Sequence, residues 1–188
     1  MNVSPATISE RLTTCGDYAV ESDAEAALDA VLARHERNVL VFREVEGHYI
    51  QPRLSTPAKT PRIDRILLPR PPVVAAGWKA GPVGIEVKKS GTKAGPALAQ
   101  CMDYSRAAFI LPDRASCCRV LLEWTFIFPV KDILCDIASI TVQNRIGNAF
   151  LRNGDLNLYV GGATALIFRT DGSFFVRQPQ CGDKVGCR

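Results

Sequence analysis

The sequence predicts one α/β domain, a central mixed β-sheet flanked by α-helices. Three observations carry this. Of 188 residues, 47% are hydrophobic, enough for one sizeable core. Stretches with helical spacing alternate with short runs rich in β-branched and aromatic residues. Proline- and glycine-rich segments fall between these runs, where connections belong.

A first helix is predicted over 22–36, with Ser22 and Glu25 spaced as a capping box and Ala24, Leu28, Val31 and Leu32 as its apolar stripe. "VLVFREV" (39–45) has strand composition. "HYIQPRLSTPAKTP" holds three prolines and reads as a strand end and a loop. "RIDRILLP" (62–69) is a strand stopped by Pro69, and "RPPVVAAGWKAGP" is a connection to a further strand, "VGIEVKKS" (83–90). A helix over 95–109 follows, with Pro96 in its first turn. "RVLLEWTFIFPV" (119–130) is apolar except for Glu123 and reads as a long central strand. A helix over 136–152, interrupted by Gly147, precedes two strands joined by a hairpin at Asp171-Gly172. No internal repeat divides the chain.

Mean hydropathy is +0.04, and no apolar run reaches the ~20 residues of a membrane span, so the expectation is a soluble protein with no membrane partner. "MNVSPATISERLTTC" has neither the basic start nor the apolar block of a signal peptide, which predicts a cytoplasmic location. The seven cysteines (15, 101, 117, 118, 135, 181 and 187) form no C-x-x-C pair and read as reduced thiols. An iron–sulfur cluster on Cys15, Cys181 and Cys187 is not expected, because it needs four thiolates and a tighter C-terminal spacing.

Charge is uneven. Residues 1–30 hold one Arg against six acids, whereas residues 52–93 hold nine basic residues against two acids, Asp64 and Glu86. Both acids sit inside apolar runs. Alternation along 83–90 points Glu86 and Lys88 to one face and Ile85 and Val87 to the other. Buried charges demand close partners. A plain Glu–Lys pair offsets its desolvation poorly, whereas a divalent cation takes carboxylates directly. If the strand of Asp64 pairs with that of Glu86, the two carboxylates bracket one Mg²⁺ or Mn²⁺, which keeps waters and accepts phosphate oxygens. Lys88 beside them can orient a water and stabilise charge on a phosphoryl transition state.

The pattern "IDRILL … GIEVKK", followed by a helix with Gln100 and Tyr104 four residues apart, resembles the PD-(D/E)xK nuclease superfamily. The Q-x-x-x-Y element is similar to that of its RecB-like branch, which includes phage exonucleases. The resemblance covers about residues 20–130, leaving a C-terminal extension of helix and hairpin over 131–188. It implies a restriction-endonuclease-like core, a metal-dependent deoxyribonuclease with Asp64, Glu86 and Lys88 as its catalytic set, and Gln100 and Tyr104 in support. It also implies an acid on the first helix, for which Glu25 is the candidate ahead of Glu21. Ile63 stands where the superfamily's name has proline, and His48 lies in the region where the branch carries a histidine.

Arg62, Arg65 and Lys93 are candidates for a phosphate track, and Trp78 either stacks on a base or anchors its loop. DNA is the expected partner. A homo-oligomer or a separate helicase or recombination partner stays open. Two further readings compete with catalysis: a nucleic-acid-binding or assembly module on the same fold, and an interaction protein whose Glu–Lys pair is only a salt bridge.

Overall fold

Strand β3 (Arg62–Pro69) and strand β4 (Val83–Val87) form the middle of the protein, antiparallel, with Arg65 opposite Ile85 and Leu67 opposite Val83. The computed structural model describes residues 13–14, 18–50, 60–79, 81–112, 117–132, 144–160 and 163–177. Around the central pair run β1 (Thr13–Thr14), helix α1 (Glu21–Leu32) with a 3₁₀ turn at Ala33–His35, β2 (Val39–Tyr49), a short helix α2 (Pro71–Ala75), and helix α3 (Ala94–Tyr104). Then come β5 (Ala107–Pro112), β6 (Cys117–Leu121), β7 (Trp124–Phe128), β8 (Val130–Asp132), β9 (Ile146–Arg152), β10 (Asp155–Val160), β11 (Ala163–Phe168) and β12 (Phe174–Val176).

Ten strands form one mixed sheet in the order β12-β11-β10-β9-β7-β4-β3-β2-β5-β6, and β1 pairs with β8 separately. Only β4–β7 and β7–β9 are parallel within it. The α/β class is therefore as the sequence predicts. Strand alternation distributes the apolar residues to two faces. Ile85, Val87, Phe126 and Phe128 meet Leu28, Val31 and Leu32 of α1. Ile127 faces the other way, onto Ala97, Leu98 and Cys101 of α3. Among the described residues, no helix is long and apolar enough to cross a membrane.

The sheet cannot be flat. Two residues, Leu122 and Glu123, separate the end of edge strand β6 from central β7, a reach of at most ~11 Å. Five strand intervals lie between them in the sheet order, or roughly 24 Å if flat. The wing of β2, β5 and β6 therefore curls back over the middle. The space beneath it is filled by Ile63, Ile66, Tyr104 and Phe109, with Leu122 packed alongside.

Several expectations are corrected. Helix α1 starts at Glu21 with Val20 as an N-cap that makes no side-chain bond, so Ser22 and Glu25 lie inside the helix and form no capping box. Helix α3 ends at Tyr104, and Phe109 belongs to β5, where it packs edge-on against Tyr104. The predicted strand over 119–130 runs through β6 and β7, far apart in the order of the large sheet, and into β8 of the two-stranded sheet; only β7 is central. Residues 146–152 form strand β9, not a helix; a Cβ on Gly147 would meet the Phe126 ring and the Tyr159 carbonyl at 2.6 Å, so glycine serves close strand packing here. Residues 133–143 lie outside the described residues. The final stretch is three strands, since β10 and β11 also pair, while the turn at Asp171-Gly172 is as predicted, with Gly172 at φ +83°. Cys15, Cys181 and Cys187 also lie outside the described residues; Cys101 is buried and Cys118 exposed.

That last turn is fastened by a buried histidine. His35 is fully buried. Its Nε2 donates to the Arg169 carbonyl at 2.7 Å and its Nδ1 accepts from Asn38 at 2.9 Å, while Asn38 also donates to the Gly172 carbonyl at 3.2 Å. This arrangement needs the neutral ring. Burial holds its pKa below the usual histidine value, and nearby Asp171 and Asp155 oppose this only in part, with Arg34 reinforcing it. The unfolded chain then takes up a proton below pH ~6.5 that the folded ring resists, so this contribution to stability is lost as pH falls. In thermal melts, the stability advantage of the wild type over His35→Gln should shrink between pH 7 and pH 5; a constant advantage would contradict the neutral-ring assignment.

Candidate active site

The β3–β4 ladder stops at Arg65–Ile85. One step further, the register sets Asp64 opposite Glu86, and there the strands part. The Asp64 carboxylate fills the gap: Oδ2 accepts the Val87 backbone N–H at 2.6 Å. Beyond the fork, β4 keeps its other neighbour, with the Lys88 N–H donating to the Phe128 carbonyl at 2.7 Å. A carboxylate thus replaces a strand carbonyl, and the register, which sets Asp64 and Glu86 at facing positions, puts both on one face. As alternation predicts, Lys88 lies on that face too: its Nζ donates to Glu86 Oε1.

Helix α3 covers the fork. Gln100 and Tyr104 do share a face, with Gln100 Nε2 donating to the Tyr104 hydroxyl at 2.6 Å. That face is not free, however: Tyr104 is 2% exposed. Its hydroxyl lies 2.6 Å from the Arg62 carbonyl and 2.8 Å from Glu86 Oε2. The single phenolic proton serves one of these acceptors at a time. Tyr104 therefore satisfies a carbonyl freed by the fork and steadies Glu86. Tyr104→Phe should cost about 1–2 kcal/mol of stability in urea titration, and lower any cleavage rate by less than Glu86→Gln does. Equal loss in the two variants would contradict a supporting role.

The electrostatics follow from burial. Asp64 is pushed up to about 7, first by burial and then by the neighbouring Glu86 charge, against the Val87 hydrogen bond and Lys88. Burial likewise raises Glu86, opposed by Lys88 and Tyr104. For Lys88, burial works to lower the ammonium, but the Glu86 contact, with Glu21 and Asp64 behind it, holds it above its usual value. Burial also pushes up the Cys101 thiol, which feels Glu86 and Lys88. Two carboxylates share the fork with one ammonium, so a negative charge is left to neutralise by proton or cation.

The other residues singled out in the sequence divide. Arg65, expected on a phosphate track, is 2% exposed. It points to the α1 side and chelates Asp29 through Nε at 2.9 Å and Nη2 at 3.0 Å. It also donates to Glu25 at 3.3 Å and to the Asp64 carbonyl at 2.7 Å. Trp78, 1% exposed, is a core residue that anchors its loop and offers no face to a base. Arg62 is exposed and paired with Glu44 at 3.0 Å. Lys93 is exposed at the start of α3. His48 lies on the curled wing, opposite Ala108.

Sequence reasoning missed Glu44 and Asp29. Glu44 sits opposite Asp64 in the β2–β3 register with φ +49°, a backbone state rare for a non-glycine residue in a strand. Glu25, Glu44 and Asp64 offer carboxylate oxygens within 4.8 Å of one another. The signal was present in "FREVE", a strand whose polar residues need partners inside the fold. The donor set around the fork is all oxygen and anionic, which suits a hard divalent cation such as Mg²⁺ or Mn²⁺. Comparison with family models, curated proteins and solved structures finds no match to this chain.

Proposed function

We propose that the protein is a metal-dependent deoxyribonuclease with a restriction-endonuclease-like core. The observation that carries this is the β3–β4 fork, where the register sets Asp64 opposite Glu86, Asp64 accepts the Val87 N–H, and Lys88 hydrogen-bonds to Glu86. Asp64 and Glu86 would hold Mg²⁺ or Mn²⁺. When bound, the cation supplies a water of lowered pKa and polarises a phosphoryl oxygen.

The chain's own groups supply the rest. Lys88 trades part of its Glu86 contact for the attacking water or a phosphate oxygen, and its positive charge stabilises the phosphoryl transition state. Tyr104 and Gln100 hold Glu86 in place. Exposed Lys89 and Lys93, on the loop after β4, would meet substrate phosphates, as would Arg62 once free of Glu44. The proposed partner is DNA, in the cytoplasm.

Incubation with linear and circular DNA under Mg²⁺, Mn²⁺ or EDTA tests this. Cation-dependent cutting of linear DNA alone indicates an exonuclease, and cutting of both indicates an endonuclease. Retardation without cutting would leave a nucleic-acid-binding module on the same fold, and neither effect would leave a satisfied ion pair.

A further inference from the structure

Glu25, Glu44 and Asp64 are spaced as if to hold a cation, yet a cation of the protein's own already pairs with two of them, Glu25 and Glu44. The Arg65 guanidinium is nearly inaccessible and fully engaged. Nε and Nη2 grip Asp29, Nη2 reaches Glu25, and Nη1 donates to the Asp64 carbonyl and lies 3.9 Å from Glu44 Oε1. Such planar, multiply bonded guanidinium contacts are geometrically specific and not readily displaced. Helix α1 contributes two of these acids, β2 the third, and β3 the arginine with the peptide it fixes.

We infer that Arg65 is the site's built-in counter-cation: it occupies the acids of α1 and β2 and leaves the Asp64–Glu86 fork for a single exchangeable divalent ion. This rests on the reading that Asp64 and Glu86 hold a cation. Arg65 is a positioning residue in this scheme, since it acts through Asp64 and through the acids it withholds. Glu25 and Glu44 then contribute to the field of the site without binding the exchangeable ion.

Ion counting tests this without any substrate. Mn²⁺ titration by calorimetry and electron paramagnetic resonance should find one ion per wild-type chain. Glu25→Gln and Glu44→Gln should change its Kd by less than about threefold. Arg65→Met, which keeps the length of the side chain but not its charge, should bind a second ion, lost again on adding Glu25→Gln.

Two ions in the wild type would overturn the inference while leaving the cation reading intact. So would a loss of about tenfold or more in affinity on replacing Glu25 or Glu44, or one ion in folded Arg65→Met. No ion in the wild type would sink the cation reading itself, and this inference with it. Should Arg65→Met not fold, the wild-type count and the two glutamine variants still decide.

Discussion

Asp64→Asn is expected to make the metal-free protein more stable while abolishing cleavage. The Asp64 carboxyl, pushed up to about 7 by burial and by Glu86, holds a proton in the folded protein that the unfolded chain sheds above pH ~4. The folded state therefore binds more protons between these limits, so stability is greatest below pH ~4, falls as pH climbs towards 7, and is flat above. A shift of this size corresponds to up to about 4 kcal/mol lost at pH 8. Asparagine removes the charge but keeps an oxygen for the Val87 N–H and offers an amide to Glu86.

The gain in thermal midpoint at pH 8 should be up to about 8–16 °C for a chain of this size, shrinking towards pH 4. Added Mg²⁺ should raise the midpoint of the wild type and not of the variant, because binding to the native state alone stabilises it. A variant less stable than the wild type at pH 8, or equally stabilised by Mg²⁺, would mean that the fork is not a strained cation site. The dependence is opposite in sign to that of His35, so each must be read as a wild-type-minus-variant difference. Cation binding must also displace the Asp64 proton, so affinity and cleavage should both rise with pH to about 7 and then level off.

The central strands were legible because they are short runs rich in apolar and β-branched residues between breakers. "RIDRILLP" and "VGIEV" each carry one acid, and the register sets those two acids on the same face. Other features depend on what a neighbour presents. Spacing put Gln100 and Tyr104 on one helix face, but only the curled wing, with Phe109 and Leu122, shows that this face is buried. Arg65 carried the charge of a surface residue. Its burial follows from Asp29 one turn beyond Glu25 on α1, a partner no local pattern in β3 reveals.

The C-terminal third was misread for a related reason. "IGNAFLR" has no strict apolar alternation, because β9 lies in the sheet between β7 and β10 with both faces covered, and such strands lose the period that marks them. Gly147, a helix breaker by composition, serves instead the close packing of β9 against Phe126. The split at Leu122–Glu123 escaped for a third reason: an unbroken apolar run hides a change of position in the sheet. The placement of Asp64, Glu86 and Lys88 does not depend on these elements, since it follows from the register of β3 and β4 alone.

Lys88→Met is the second decisive substitution, because it separates catalysis from a merely structural ion pair. Lys88 is 18% exposed and its partner Glu86 2% exposed on their side chains. If the pair existed only to satisfy Glu86, its loss would leave a buried carboxylate uncompensated, at a cost of roughly 3–5 kcal/mol unless Glu86 takes up a proton. In a cation site the bound ion takes over that compensation. With Mg²⁺ present, the folded Lys88→Met protein should melt within a few degrees of the wild type. It should bind Mn²⁺ at least as tightly, because one positive charge has left the fork. Cleavage should nevertheless fall by about 10³-fold or more, the scale of losing a group that stabilises charge in the transition state. DNA retardation should persist, since the exposed Arg62, Lys89 and Lys93 proposed to meet phosphates are unchanged. Cleavage at the wild-type rate would remove Lys88 from the mechanism. Weaker Mn²⁺ binding, together with a melting loss that Mg²⁺ does not restore, would identify the Glu86–Lys88 pair as a structural bridge and the fork as no cation site at all.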